Sequence, residues 1–170
     1  MRSLATLLIA IAVSAPLGGC SPALDWREMS PAGSGLQLRI PCKPAQQARA
    51  ASATGPAMGM AVCEAAGYRF SLAWADLDGP ERLSPALEEM PRALAAKLGQ
   101  SLGPMAPLAV PGATPMPQSG SYRFSPGSGG SGTRIAVFAK GLRVYQLILQ
   151  GVQDDTEVWR TFVEGLRVTP

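Results

Sequence analysis

Between Gly103 and Gln118 the chain carries Pro104, Pro107, Pro111, Pro115 and Pro117. Each proline fixes φ at about −65° and removes a backbone donor, so this run admits neither a helix nor a central strand. It must be an extended connection. The residues that follow it are too few for a comfortable second core, so the crossing lies within one domain and the fold is built from what flanks it.

On both sides the apolar residues alternate. Leu36, Leu38 and Ile40 alternate with Gln37 and Arg39, the period-two pattern of a half-buried strand that Pro41 stops. Pro41-Cys42-Lys43-Pro44 forces an extended exit, and residues 45–55, rich in Ala, Gln, Ser, Thr and Gly, read as a loop. Met58, Met60 and Val62 then form one strand face. Ala65-Ala66-Gly67 supplies a turn, and Tyr68, Phe70, Leu72 and Trp74 form the matching face of a hairpin partner. In this parity Met58 and Met60 are core residues, and so is Met90 in a helical one; packing by flexible side chains accounts for all three better than soft-metal binding. Beyond the prolines, Ser121 to Phe124 begins a strand, the glycine-rich segment from Ser125 to Gly132 is a flexible connector, and Arg134–Lys140 with Leu142–Gln150 makes a second hairpin around Gly141. The connector lacks the Lys-Ser/Thr ending of a phosphate-binding loop and opens into a strand.

Two stretches have helical spacing. Ser84 as cap and Pro85 at the first helical position open the first, and Leu83, Leu87, Met90, Leu94 and Leu98 form its apolar stripe. Pro91 should kink it or start a new segment, and Gly99 ends it. Asp154 or Asp155 caps the second, whose Val158, Phe162 and Leu166 are flanked by Trp159 and Val163; Leu166-Arg167-Val168 closes as a short strand. The expected class is α+β, with a mainly antiparallel sheet and packed helices. Trp26 anchors the start of the first strand at the core or its edge.

Composition excludes more chemistry than it offers. The chain contains no histidine, which removes Ser-His-Asp, Cys-His and histidine-based zinc mechanisms. Its formal charge is +3 and its basic residues are scattered, leaving no footprint for nucleic acid. Asp76, Asp78, Glu81, Glu88 and Glu89 lack calcium-loop spacing and read as solvated helix-entry charges. No catalytic residue, cofactor-binding residue or metal ligand is assigned, and no cofactor is expected. The competing class is a periplasm-facing hydrolase pairing a serine with Lys43, Lys97 or Lys140, although no Ser-x-x-Lys occurs. A small-ligand carrier is a third class, which would need a concave apolar pocket.

Met1-Arg2, the apolar stretch Leu4 to Val13 and the small residues after it follow the plan of an export signal. The apolar run is shorter than the roughly 20 residues of a spanning helix. Leu17-Gly18-Gly19-Cys20 resembles the lipobox of bacterial lipoproteins, which implies cleavage before Cys20 and acylation of that cysteine. The expected organisation is a signal peptide over 1–19, an acylated terminus and tether over 20–34, and a single α+β domain over 35–170. With Cys20 so assigned, Cys42 and Cys63 remain as an even pair in an oxidising compartment and are expected to form a disulfide. Their strand parities disagree, since Cys42 follows Leu36, Leu38 and Ile40 while Cys63 lies with Ala57, Gly59 and Ala61. Either Pro41 resets the parity, or the small-residue face is a second interior face.

Trp26, the segment Gly35-Leu36-Gln37-Leu38-Arg39-Ile40-Pro41-Cys42-Lys43-Pro44, the strand Arg143-Val144-Tyr145-Gln146-Leu147 and the closing Thr161-Phe162-Val163-Glu164-Gly165-Leu166 together resemble uncharacterised proteobacterial lipoproteins. More distantly they are similar to the Mog1/PsbP/DcrB group of α/β/α sandwiches. The resemblance implies binding and assembly rather than catalysis and carries over no functional residue. The expected protein is a non-enzymatic binding or scaffold module, held to the membrane by its N-terminal lipid. Its expected place is the bacterial cell envelope, at the outer membrane facing the periplasm, with envelope proteins as candidate partners and no nucleic acid.

Overall fold

The computed structural model describes residues 23–53, 55–125, 132–151 and 156–169. The leader with Cys20, the Asp154/Asp155 cap and most of the glycine-rich connector lie outside the described residues. In chain order the elements are β1 (Arg27–Met29), β2 (Leu36–Ile40), β3 (Ala45–Arg49), β4 (Met58–Ala65), β5 (Tyr68–Asp76), α1 (Leu83–Leu98), β6 (Ser101–Leu102), β7 (Ala106–Pro107), β8 (Gly120–Ser125), β9 (Gly132–Lys140), β10 (Arg143–Gly151), α2 (Thr156–Glu164) and β11 (Arg167–Val168). A short 3₁₀ turn over Pro80–Arg82 leads into α1. The class is α+β: one large antiparallel sheet runs β3-β4-β5-β10-β9-β8-β6, with β7 also on β8, and a small sheet runs β1-β2-β11.

The two hairpins make the centre of the large sheet because their alternation leaves both faces of β9 and β10 apolar. Tyr145, Leu147 and Leu149 of β10 face the same side as Phe70, Leu72 and Trp74 of β5, and α2 and the small sheet cover that side. Phe70 is its centre, edge-on to Trp26 at 5.5 Å and to Phe162 of α2 at 5.3 Å between ring centroids. Offset and edge-to-face contacts of this kind are the favoured arrangement for aromatic quadrupoles. On the opposite face Ile135, Val137, Ala139 and Val144 pack against Leu87 and Ala95 of α1. The proline crossing is extended as expected, docking through Val168 N–H to Pro111 O (2.9 Å) and Thr114 N–H to Ala139 O (2.8 Å).

Local chemistry departs from the sequence reading at four places. Residues 45–49, read as loop, form edge strand β3; its side chains are all exposed, so it has no apolar alternation to announce it, and pairing with β4 makes it a strand. Helix α1 opens through the 3₁₀ turn without a side-chain cap, so Ser84 lies inside the helix. Pro91 also lies inside α1, which runs unbroken from Leu83 to Leu98. Its ring is buried, and that burial helps offset the donor it removes. Gly99 does end the helix, at φ 61°.

The fourth departure sets the geometry of the candidate site. Met58 and Met60 were expected in the core, yet each is 43% exposed, while Ala61 and Cys63 on the other face of β4 are buried. The inward face of β4 is the small-residue face. Trp74 lies so close over Gly59 that only glycine fits beneath it, and this directs the large side chains of β4 outward.

Candidate functional site

The Cys42 and Cys63 sulfurs stand 2.07 Å apart, a disulfide distance, with Cα atoms 5.9 Å apart. Cys42 follows β2 of the small sheet, and Cys63 faces it from β4 of the large one. The parity conflict disappears because the two residues are not on paired strands. The link joins two layers, and the small-residue face of β4 is the interior face it needs.

At the other end of the main core is a polar knot that the sequence reading did not assemble. Asp76 and Arg143 are register partners at the ends of β5 and β10. Arg143 donates from Nε to Asp76 Oδ1 (2.5 Å) and from Nη2 to Oδ2 (2.9 Å), a two-pronged fork. Its Nη1 donates to Gly33 O (2.7 Å) and Ser34 O (3.2 Å), and the Tyr145 hydroxyl donates to Ser34 O (2.9 Å). Ser34, wholly buried, donates to Pro31 O (2.8 Å) and accepts from Leu36 N–H (3.1 Å). Hydrogen bonding to Arg143 holds the Asp76 carboxyl below the usual carboxylate range against the opposing effect of burial; desolvation pushes the Tyr145 phenol up. Asp76 is therefore no solvated helix-entry charge. Every nitrogen of Arg143 is engaged, so the knot clamps the 31–35 turn onto the sheet. The Gly141 turn sets the register of β10 on β9 alone, so nothing local in the sequence announces that Arg143 stands opposite Asp76.

The remaining sequence candidates do not converge. Asp78 pairs with Arg82 (2.6 Å), Glu88 pairs with Arg92 (3.6 Å), and both pairs are exposed. Among the described residues no three His, Cys, Asp or Glu side chains are grouped to hold a metal ion. Lys43, Lys97 and Lys140 are all exposed, at three different places in the fold. No helix of the described residues is long and apolar enough to cross a membrane.

What does converge is an apolar trough on the α1 side of the large sheet. Helix α1 covers β9 and β10 and leaves the β3-β4-β5 half open. Met58, Met60, Ala73 and Ala75 floor a hollow of about 540 Å³, walled by Met90 of α1 and by Val144. Arg49 hangs over one end, 3.5 Å from Pro56 O and 3.4 Å from Met58 Sδ, with no carboxylate partner among the described residues. A larger hollow of about 720 Å³ lies under the proline crossing. There, however, Leu108, Val110 and Ala113 turn into the main core, so that hollow is a seam of the fold. Exposed methionines gathered over open sheet differ from a seam, because contiguous exposed apolar surface marks binding sites more often than scattered residues do. No protein-family model matches the chain, and no curated protein matches it.

Proposed function

We propose that this protein is a lipid-anchored, non-enzymatic binding module of the bacterial cell envelope, and that the open half of its sheet is the working surface. The export-type leader ending in Leu17-Gly18-Gly19-Cys20 supports the anchor. The finer fold assignment, a Mog1/PsbP-like α/β/α sandwich, accords with helices on both faces of the large sheet. The observation that carries the binding role is the pair of exposed methionines, each 43% accessible, flooring an uncovered trough.

Its occupant is an amphipathic helix of another envelope protein, lying beside α1. Strands at about 4.8 Å spacing make the three-strand floor about 10 Å wide between its outer axes, the width of one helix. Methionine suits a surface that must adapt to the ridges of an incoming helix. The guanidinium of Arg49, which has no carboxylate partner among the described residues, calls for a carboxylate near one end of that helix.

The test places a photo-crosslinking amino acid at Met60 in the membrane-bound protein, with Arg92 on the outer face of α1 as control. Mass mapping should find partner residues at spacings of three and four, flanked by Asp or Glu, and Met60→Glu together with Arg49→Glu should abolish the adduct. Identical products from both positions, or partner residues at every second place, would reject the helix reading.

A further inference from the structure

The sheet edges of this fold are unequally protected. On the large sheet β6 is two residues long and runs into Gly103-Pro104; on the small sheet β11 has two residues, and β1 has three, with Arg27 and Glu28 exposed on it. Short strands, prolines and charges are the usual devices against edge-to-edge pairing. Strand β3 has none of them over most of its length. Its five residues Ala45-Gln46-Gln47-Ala48-Arg49 are exposed, uncharged up to Arg49 and free of proline, and among the described residues they pair only with β4. Among the described residues two side-chain contacts reach β3 from outside that pair, from Ala32 N–H to the Gln46 side chain at 3.1 Å and from Arg49 Nη2 to Pro56 O at 3.5 Å, and both leave its main chain unused. Alternate residues of β3 therefore turn N–H and C=O groups outward.

We infer that this edge pairs with β3 of a second copy of the chain, antiparallel about a two-fold axis through Gln47. The residue pattern is self-complementary in that register. Gln47 meets Gln47 of the other copy, Gln46 meets Ala48, and Ala45 meets Arg49, so no like charges stand opposite one another. The two Arg49 side chains lie about 13 Å apart along the ribbon, beyond the roughly 8 Å screening length at physiological salt. A shift of the axis by one residue in either direction leaves end residues unpaired. The joined sheet would be continuous through both copies, with the two α1-side troughs side by side. The contact is smaller than the roughly 1,000 Å² of a stable interface, so the pair forms at high local concentration, as between chains held on one membrane. The pairing rests on β3 and stands or falls apart from the helix-binding reading; only the high local concentration rests on the proposed lipid anchor, and scattering of the purified protein reads the pairing without it.

The experiment uses the full chain in its own membranes under mild oxidation, with the unsubstituted protein setting the background. Gln47→Cys should give a covalent band of doubled mass several-fold above background. Gln46→Cys, whose counterpart stands opposite residue 48, should not. For the purified full-length protein, scattering mass should rise from one chain toward two with concentration. Gln46→Glu with Ala48→Glu sets like charges opposite one another at both pairs and should hold it at one chain, while Gln46→Glu with Ala48→Lys should restore the rise. All these positions are exposed, so the variants keep the fold. Equal crosslinking at 46 and 47, background crosslinking at 47, a single-chain mass at every concentration, or equal behaviour of the two charge pairs would overturn the inference.

Discussion

The indole of Trp74 occupies the space above Gly59 where any other residue would carry a side chain: a Cβ there would come within 2.2 Å of Trp74 Cζ2 and 2.7 Å of Cε2. This one contact turns the small face of β4 inward, brings Cys63 toward Cys42 and turns Met58 and Met60 outward to floor the trough. Gly59→Ala should therefore destabilise the protein by about 1–3 kcal/mol, the usual cost of overfilling a packed site. Urea unfolding measures it directly. Pairing Gly59→Ala with Trp74→Leu should recover part of the loss attributable to the clash, and additive losses would contradict the contact's role.

The β4–β5 turn contains a strained residue. Ala66 has φ 50° and Gly67 φ 78°, the two positive angles of a hairpin turn that asparagine followed by glycine fills best. A left-handed conformation costs an alanine roughly 1–2 kcal/mol, and Ala66 is exposed, so its side chain contributes little packing in return. Ala66→Asn should stabilise the fold by about 0.5–1 kcal/mol and raise the melting temperature by a few degrees. A lower melting temperature would show that the turn does not hold this geometry.

The Arg143–Asp76 fork makes stability depend on acid. Asp76 has its pKa lowered first by the hydrogen bond from Arg143, with burial opposing. A carboxylate lowered in the folded state contributes stability that is fully present above its unfolded value of about 4, and the contribution is lost as pH falls through the folded value. Asp76→Asn should cost about 1–2 kcal/mol at pH 7, a figure kept small because the pair is partly open to solvent. That deficit relative to the natural chain should shrink progressively below pH 4. Parallel stability curves down to pH 2 would show that the fork does not titrate with folding.

Much of this fold was legible wherever a residue's own period decided its place. The alternation of Leu36 to Ile40, the two hairpins, the stripe of α1 and the Val158-Phe162 face of α2 reappear at nearly their expected positions. The failures occur where a neighbour decides. Strand β3 is specified by β4 and not by its own polar residues, Pro91 is held in its helix by burial, and the facing of β4 depends on an indole fifteen positions further on. The trough was invisible for the same reason, since exposed methionines look like core methionines until the reach of α1 is known. Asp76 and Arg143 are far apart in sequence, and only the order β4-β5-β10 joins them.

The account's central claim, a binding body tethered by lipid at Cys20, is tested most directly by the intact mass of the protein extracted from membranes. The mass should correspond to a chain beginning at Cys20 and carrying acyl groups, and Cys20→Ala should move the protein to the soluble fraction. A mass that includes Met1 with no acyl addition, or a Cys20→Ala variant that stays with the membrane, would contradict it.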